Sequence, residues 1–323
     1  MHRKEQRRVA HASKPLLIDF HSHYYDPAWL PAETPRGYSA AMTRARAMLT
    51  DIDAQLDAMT HAGVDMKVLS APLSTLVGAG EQPPVELTAR INDRFAALVA
   101  QHPNHLLGMA TIDAFGGEVA AREVERAVRT LGLRGICVDC ARGEWFLNAP
   151  EARPVLDAAA SLHVPIFVHP VSPAGYAEHL AQHGQPGVLM ARGTETAASI
   201  LSLVRNSVLA AMPGLTIVIP MMAASVLLFA GLIDQEEEHT TGEGGGQSDV
   251  LKRLYVDTMG FGPTSVRFAV DAVGVEHVLV GSDWPILPIP ARDRVERCLI
   301  DAQIGLDERA AMCSKNAQRL LRA

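Results

Sequence analysis

The stretch Leu16-Leu17-Ile18-Asp19-Phe20-His21-Ser22-His23 decides how the rest of the chain is interpreted. Mostly apolar residues lead into a His-x-His pair, which predicts a buried β-strand that ends in polar side chains. Side chains two positions apart in an extended chain point to the same side. His21 and His23 are therefore expected to converge at the carboxyl end of the strand. Two neutral imidazoles that converge are the beginning of a zinc-like metal site.

Seven further apolar runs alternate with helical patterns along the chain. With the first strand, the predicted strands cover residues 16–20, 66–70, 105–110, 134–138, 165–170, 215–219, 254–257 and 277–281. Strands that alternate with helices pair in parallel, and eight such units favour a distorted (β/α)8 TIM barrel. We predict one such domain over residues 15–323, a disordered basic leader over residues 1–14, and a mobile, glycine-rich surface loop over residues 235–249.

Composition narrows the class of protein. The 323 residues are 48% hydrophobic, which suffices for one large core. A net charge of −7 and only 5% aromatic residues disfavour nucleic-acid binding. Four cysteines are too few for a disulfide framework, so a cytoplasmic location is the default expectation. Pro220 interrupts the longest apolar run, residues 215–233, which argues against a membrane span.

Two more candidate metal ligands follow predicted strands. His169 ends the fifth strand, and Asp283 comes directly after the eighth. Taken separately, His169 is typical of a buried, hydrogen-bonded histidine and Asp283 of a helix N-cap. Their combination with His21 and His23 at the catalytic ends of barrel strands favours a metal site. Three imidazoles and a carboxylate suit one divalent ion, with Zn²⁺ as our first expectation and Mn²⁺, Fe²⁺ or Co²⁺ as alternatives.

These motifs resemble the amidohydrolase superfamily, in particular the amidohydrolase-2 group, which includes aminocarboxymuconate semialdehyde decarboxylase and aromatic acid decarboxylases. The resemblance runs from about Leu16 to the C-terminus, and it implies that His21, His23, His169 and Asp283 are the metal ligands. The His-x-His form is more similar to the semialdehyde decarboxylase and its hydrolase relatives. The matching stretches are IDFHSH, RGICVDC, ARPVLDAAASLHVPIFVHP, ETAASILSLV, LYVDTMGF and VLVGSDWP.

The chain departs from that group after the sixth strand. The group usually has a histidine there, in a His-x-Gly-Gly-like run, which activates the metal-bound water or moves a proton. Here the run is Pro220-Met221-Met222-Ala223-Ala224, which places Met221 at the position of the histidine. A methionine thioether has no proton to give and accepts hydrogen bonds weakly. Asp283, or a loop histidine such as His179 or His183, would then have to move the proton.

The substrate-binding residues are less well defined by sequence. Trp29 lies in the proline-rich segment after the first strand, and Trp284 follows Asp283. No clear match exists for the carboxylate-binding arginine that the resemblance implies, so Arg44 and Arg46 are candidates beside the alternative that both are surface arginines. We assign these four residues to substrate binding.

Two functional hypotheses follow. The first is a metal-dependent enzyme that acts on a small carboxylated or carbonyl-containing substrate, for which an aromatic compound is one candidate. The sequence favours a decarboxylase and a hydrolase almost equally. The second is a catalytically silent relative that binds a metal or a small ligand. The loss of the histidine favours the second hypothesis, and the complete ligand set favours the first. Group members are often dimers, so a homodimer is expected.

Overall fold

The computed structural model describes residues 14–30, 40–78, 80–242 and 246–322. This part of the chain is an α/β fold in which helices alternate with parallel strands. The strands are β1 (Ile18–His23), β2 (Met66–Ser70), β3 (Leu106–Gly108), β4 (Ala110–Thr111), β5 (Ile136–Asp139), β6 (Ala141–Arg142), β7 (Trp145–Phe146), β8 (Ile166–His169), β9 (Ile217–Ile219), β10 (Tyr255–Asp257) and β11 (Val278–Leu279).

Helices follow most strands and cover the outer face of the sheets. They are α1 (Ala40–Leu49), α2 (Ile52–Ala62), α3 (Ser74–Val77), α4 (Val85–Gln101), α5 (Gly117–Arg129), α6 (Arg153–Leu162), α7 (Tyr176–Ala181), α8 (Gly184–Arg205), α9 (Val208–Ala211), α10 (Ala230–Thr241), α11 (Pro263–Val273), α12 (Arg292–Asp301), α13 (Leu306–Ala310) and α14 (Asn316–Leu321). None of the helices in the described ranges is long and apolar enough to cross a membrane.

Two parallel sheets meet along both of their edges. One sheet has the order β1-β2-β3 and the other β11-β10-β9-β8-β5-β4, while β6 and β7 form a separate antiparallel hairpin. Only Met109 separates β3 from β4, so one segment runs from the first sheet into the second. At the opposite edge the Phe20 N–H donates to the Val280 carbonyl at 2.9 Å. The carboxyl ends of strands from both sheets therefore come close together.

Successive strand residues face two different apolar cores. Phe167 belongs to a small core, whereas its neighbours Ile166 and Val168 belong to a large one. The small core takes residues from strands of both sheets and from α14, and the large core takes residues from strands and most helices. This alternation follows from the period of two in a strand. The small core lies between the sheets, and the large core lies between the sheets and the helices.

Most predicted elements are confirmed. Helix α2 begins after Asp51, whose side chain accepts a hydrogen bond from the Ala54 N–H, and ends at Gly63, which has a φ of 70°. A left-handed residue at this position is typical of helix C-termini, and glycine adopts it without a steric penalty. The predicted leader lies outside the described residues except for Lys14.

The predicted loop over residues 235–249 is wrong for most of its length. Residues 235–241 belong to α10, and a 3₁₀ helix, Gln247–Arg253, takes up residues 247–249. The Asp234 carboxylate accepts hydrogen bonds from the Gly246 and Ser248 N–H groups, so this segment is tied to α10. Residues 243–245 lie outside the described residues. The polar residues of this segment belong to a solvent-facing helix. Glutamate is a good helix former, so a run of glutamates is compatible with a helix.

The sequence pattern predicts a helix over residues 195–212, but helix α8 begins eleven residues earlier, at Gly184, and ends at Arg205. Gly187 and Gly193 lie inside it, and such residues usually weaken a helix. A Cβ atom at Gly187 would lie 2.0 Å from the Leu180 carbonyl oxygen, and one at Gly193 would lie 2.3 Å from the Met222 carbonyl oxygen. These glycines are therefore required by close packing and do not end the helix.

We predict that Phe95→Ala lowers the free energy of unfolding by about 3–5 kcal/mol, because Phe95 of α4 is fully buried in the large core. Urea unfolding followed by circular dichroism measures the change. Phe229→Ala is the matched control, since Phe229 is 53% exposed, and its effect should stay below about 0.5 kcal/mol. Equal effects of the two substitutions would contradict the assigned core.

Candidate metal centre

The four residues that the sequence singles out as ligands lie together. His21 and His23 come from β1, His169 from the end of β8, and Asp283 from the segment after β11. One donor atom from each lies within 4.8 Å of the others, and all four residues are buried. The arrangement arises because parallel strands end at the same edge of their sheets. That these residues bind a metal ion remains a prediction.

His21 has one ring nitrogen free for a metal. Its Nδ1 lies 2.7 Å from Asp257 Oδ2, and because an ionised carboxylate only accepts, Nδ1 carries the proton. The Nε2 is buried, has no hydrogen-bond partner among the described residues, and lies 3.5 Å from Asp283 Oδ1. Burial lowers the pKa of His21, but the neighbouring Asp257 outweighs it and the pKa is raised.

His23 and Asp283 face each other at a distance that suits a shared proton or a shared cation. The Ser70 hydroxyl oxygen lies 2.9 Å from the Ser22 carbonyl and 2.9 Å from His23 Nδ1, and where it donates to the carbonyl it accepts from Nδ1–H. In that tautomer the unprotonated Nε2 lies 3.0 Å from Asp283 Oδ1, whereas in the other tautomer Nε2–H donates to this oxygen. Burial lowers the pKa of His23, which keeps this ring neutral. Two acceptors at this distance repel each other unless a cation or proton lies between them.

His169 supplies the third imidazole of the set. Burial, followed by the neighbouring His23, Arg192 and His21, lowers the pKa of His169 well below its ordinary value, so this ring is neutral. Its Nδ1 is buried without a hydrogen-bond partner in the described chain and lies 3.9 Å from Asp139 Oδ1. Burial raises the pKa of Asp139 to about 6, against hydrogen bonds that it accepts from Ser74. Metal ligation requires such unprotonated imidazoles.

Asp283 is held in an unusual backbone conformation. Its φ of 63° lies in the left-handed region, which residues other than glycine seldom adopt. The Asp283 N–H donates to the His21 carbonyl at 2.8 Å, and the Asp283 carbonyl accepts from the Ile286 N–H at 2.9 Å. Burial raises the pKa of Asp283, but the neighbouring His23 and His21 outweigh this and lower it. The carboxylate is therefore a negatively charged candidate ligand for a metal ion.

A pocket opens from these donors between β1, β8 and α8. Its wall is mixed, with polar side chains beside the apolar residues Val188, Leu189 and Ile286, and Arg192 of α8 carries the guanidinium in its described lining. The Arg192 Nη2 donates to the Pro170 carbonyl at 2.7 Å, directly after His169. Apart from His23, His169, Asp283 and Arg192, the lining residues are Tyr25, Met42, Thr75, Gln185, Val188, Leu189 and Ile286.

Of the residues assigned to substrate binding, none appears in the described lining of this pocket. Trp29 packs edge-on against Tyr24 and Phe95. Arg44 is exposed and Arg46 half-buried on α1, and Trp284 is buried beneath Lys67. The sequence missed Arg192, because it lies in the part of α8 that the pattern did not predict.

Met221 lies next to the group that orients His21, whereas the two loop histidines named for proton transfer lie at the surface. Met221 is buried, and its N–H donates to Asp257 Oδ1 at 3.4 Å, so it adjoins the carboxylate that orients His21. His179 and His183 are exposed. The sequence also missed Asp257, although its position at the end of a predicted strand was a usable signal.

The comparison with protein families agrees with this site. The sequence profile of the family described as "Amidohydrolase" matches residues 18–323, almost the whole chain. The chain belongs to the amidohydrolase family. This amidohydrolase is 22% identical over 295 residues to the 2-amino-3-carboxymuconate-6-semialdehyde decarboxylase of Dictyostelium discoideum, covering 84% of this chain and 82% of the relative. It is 25% identical over 300 residues to the gamma-resorcylate decarboxylase of Polaromonas sp., covering 86% and 89%.

Solved structures share the fold of this amidohydrolase. The 5-carboxyvanillate decarboxylase of Novosphingobium aromaticivorans, crystallised with manganese, superposes with a TM-score of 0.81 at 19% identity, covering 96% of this chain and 98% of the other. At that identity the likeness shows the fold and not the reaction.

We predict that Asp257→Asn weakens Mn²⁺ binding about 10- to 100-fold, because the carboxylate fixes the tautomer and orientation of His21. Isothermal titration calorimetry of metal-free protein measures the affinity. Asp271→Asn serves as the control, since Asp271 is exposed and pairs with Arg267 on α11. Unchanged affinity in Asp257→Asn would contradict the assigned orientation of His21.

Proposed function

We propose that this amidohydrolase is a metal-dependent decarboxylase of a small aromatic carboxylate. The observation that carries the proposal is the convergence of His21, His23, His169 and Asp283 at a pocket whose described lining holds one arginine beside several apolar side chains. The relatives support it, since their names describe decarboxylases of carboxylated substrates, including resorcylate and 5-carboxyvanillate. The two parallel sheets that meet along both edges support the further proposal of a closed (β/α)8 barrel.

The three imidazoles and the carboxylate would hold the ion. A divalent ion bound there supplies a positive charge that polarises a substrate oxygen. Mn²⁺ is the first ion to test, because solved relatives contain manganese. Zn²⁺ remains an alternative, since mixed nitrogen and oxygen donors suit several divalent ions.

Arg192 is the group we assign to binding a second anionic or polar oxygen of the substrate. Its Nη2 is fixed by the Pro170 carbonyl, and no carboxylate of the described chain lies within 4.0 Å of the guanidinium. A guanidinium can bind a carboxylate through two parallel hydrogen bonds. Val188, Leu189 and Ile286 line the same pocket, and they suit an apolar ring beside the charged group.

Asp283 is the group we assign to moving the proton. His23 occupies the Oδ1 atom, whereas Oδ2 has no hydrogen-bond partner among the described residues. Decarboxylation breaks the bond between a carbon and its carboxylate, and the electron pair left on the carbon takes up a proton. Asp283 can accept a proton from a substrate hydroxyl and return it to that carbon. Met221 cannot do this, because its thioether carries no proton.

The direct test is release of CO₂ from a panel of hydroxybenzoates, among them 2,6-dihydroxybenzoate and 5-carboxyvanillate, by protein reconstituted with Mn²⁺. We expect CO₂ from at least one substrate, loss of activity on chelation, and no activity in His169→Ala. Metal binding without CO₂ from any member of the panel would contradict the decarboxylase and favour the silent relative. Uptake of labelled oxygen from water into the product would instead indicate hydrolysis.

We predict that Arg192→Met raises KM about 10- to 100-fold, because a hydrogen bond to a charged group contributes about 1.5–3 kcal/mol. Steady-state kinetics on the best substrate of the panel measures the change. Arg205→Met is the matched control, since Arg205 lies on the same helix and pairs with Glu236 at the surface. A KM that stays the same in both variants would remove Arg192 from the substrate site.

We predict that Met221→His adds an ionisation near pH 6.5 to the pH–rate profile, because it places an imidazole beside Asp257. Met222→His is the control, since Met222 packs against Gly193 of α8. If both profiles match that of the unmodified protein, Met221 does not occupy the position of a proton-transferring residue.

A further inference from the structure

A second polar cluster lies on the outer side of β1, between the strand and α2. Its members are Asp19, Gln55, Lys67 and Ser282, each with at most 1% of its surface exposed. The proposed reaction uses none of these side chains. Asp19 of β1 and Lys67 of β2 lie opposite each other in the strand register, so the cluster contains an acidic and a basic side chain that are both removed from water.

One arm of the cluster holds His23. The Lys67 Nζ donates to Gln55 Oε1 and lies 5.0 Å from the centroid of the Trp284 ring. The Gln55 Nε2 in turn donates to the His23 carbonyl at 3.2 Å and to the Met48 carbonyl at 2.7 Å. Lys67 therefore fixes the glutamine that holds the backbone of one ligand.

The other arm holds His21 and the segment of Asp283. Asp19 Oδ1 accepts from the His21 N–H at 3.3 Å, and Asp19 Oδ2 accepts from the Ser282 hydroxyl at 2.6 Å. Ser282 Oγ then accepts from the Trp284 N–H at 3.0 Å. The residues on both sides of Asp283 are thus fixed, which supports its left-handed backbone at a φ of 63°.

Stability alone does not explain the cluster. Burial of four polar side chains costs free energy even when they are hydrogen-bonded, and replacement of buried polar partners by apolar groups of the same shape is often neutral or stabilising. The hydrogen bonds of the cluster instead reach the backbone of His21 and His23 and the residues on both sides of Asp283. Groups behind a metal ligand commonly set its orientation, and with it the affinity for the metal.

We propose that Asp19, Gln55, Lys67 and Ser282 are positioning residues that set the metal affinity of the site by fixing the backbone of His21 and His23 and the residues on both sides of Asp283. This inference rests on the metal site of the proposed function. None of the four touches the pocket, so they act only through the ligands that they hold.

The test compares two buried amides. Gln55→Leu removes the glutamine of the cluster, and Asn92→Leu removes a fully buried asparagine that binds the Thr111 backbone on β4, outside the metal centre. We expect both variants to lower the melting temperature of the metal-free protein. Only Gln55→Leu should weaken Mn²⁺ binding, by about 10- to 100-fold in calorimetry.

A second pair of variants changes less of the structure, in case Gln55→Leu does not fold. Ser282→Ala removes one oxygen of the cluster, and Ser248→Ala removes the hydroxyl that donates to Asp234, outside the cluster. Weaker Mn²⁺ binding in Ser282→Ala alone supports the inference. Affinity within about twofold of the unmodified protein in the cluster variants, or equal losses in the controls, would overturn it while leaving the metal site intact. Absence of Mn²⁺ binding in the unmodified protein would overturn the proposed function together with this inference.

Discussion

A ring nitrogen and a carboxylate that face each other in a buried site are the interaction on which this structure depends. His23 Nε2 and Asp283 Oδ1 lie 3.0 Å apart in the lining of the pocket. When the Ser70 hydroxyl donates to the Ser22 carbonyl, Ser70 takes the only proton of the neutral ring, and two acceptors then face each other. A cation between them resolves this conflict. The two neutral imidazoles of His23 and His169, the free Nε2 of His21 and the charge of Asp283 together form a donor set for one divalent ion.

The fold places these donors through general features of parallel α/β architecture. The residues that carry them lie at the carboxyl ends of strands from both sheets, where functional sites of such folds occur. Helix α8 then closes one side of the pocket and brings Arg192 next to His169. The proposal of an aromatic carboxylate rests on the single arginine of the described lining and on Val188, Leu189 and Ile286 beside it.

The strands and the ligand set could be predicted because regular patterns carry them. An apolar run that ends in a histidine indicates both the strand and the position of the side chain. Arg192 could not be predicted in the same way, because Gly187 and Gly193 weaken the helical pattern around it. Glycine is required at these two positions because the Leu180 and Met222 carbonyl groups come too close for a side chain, and only the folded structure reveals this contact. The sequence assigns Trp284 to substrate binding because it follows Asp283. In the structure Asp283 has a positive φ, and the Trp284 ring packs against Lys67 outside the pocket.

The most direct test of the central claim is the metal content of the protein after dialysis against Mn²⁺, measured by elemental analysis for the unmodified chain and for His169→Ala. The account predicts about one equivalent of metal in the unmodified chain and a large loss in the variant, since a three-imidazole site cannot close without His169. Metal-free protein that is fully folded, or equal metal content in the two proteins, would contradict it.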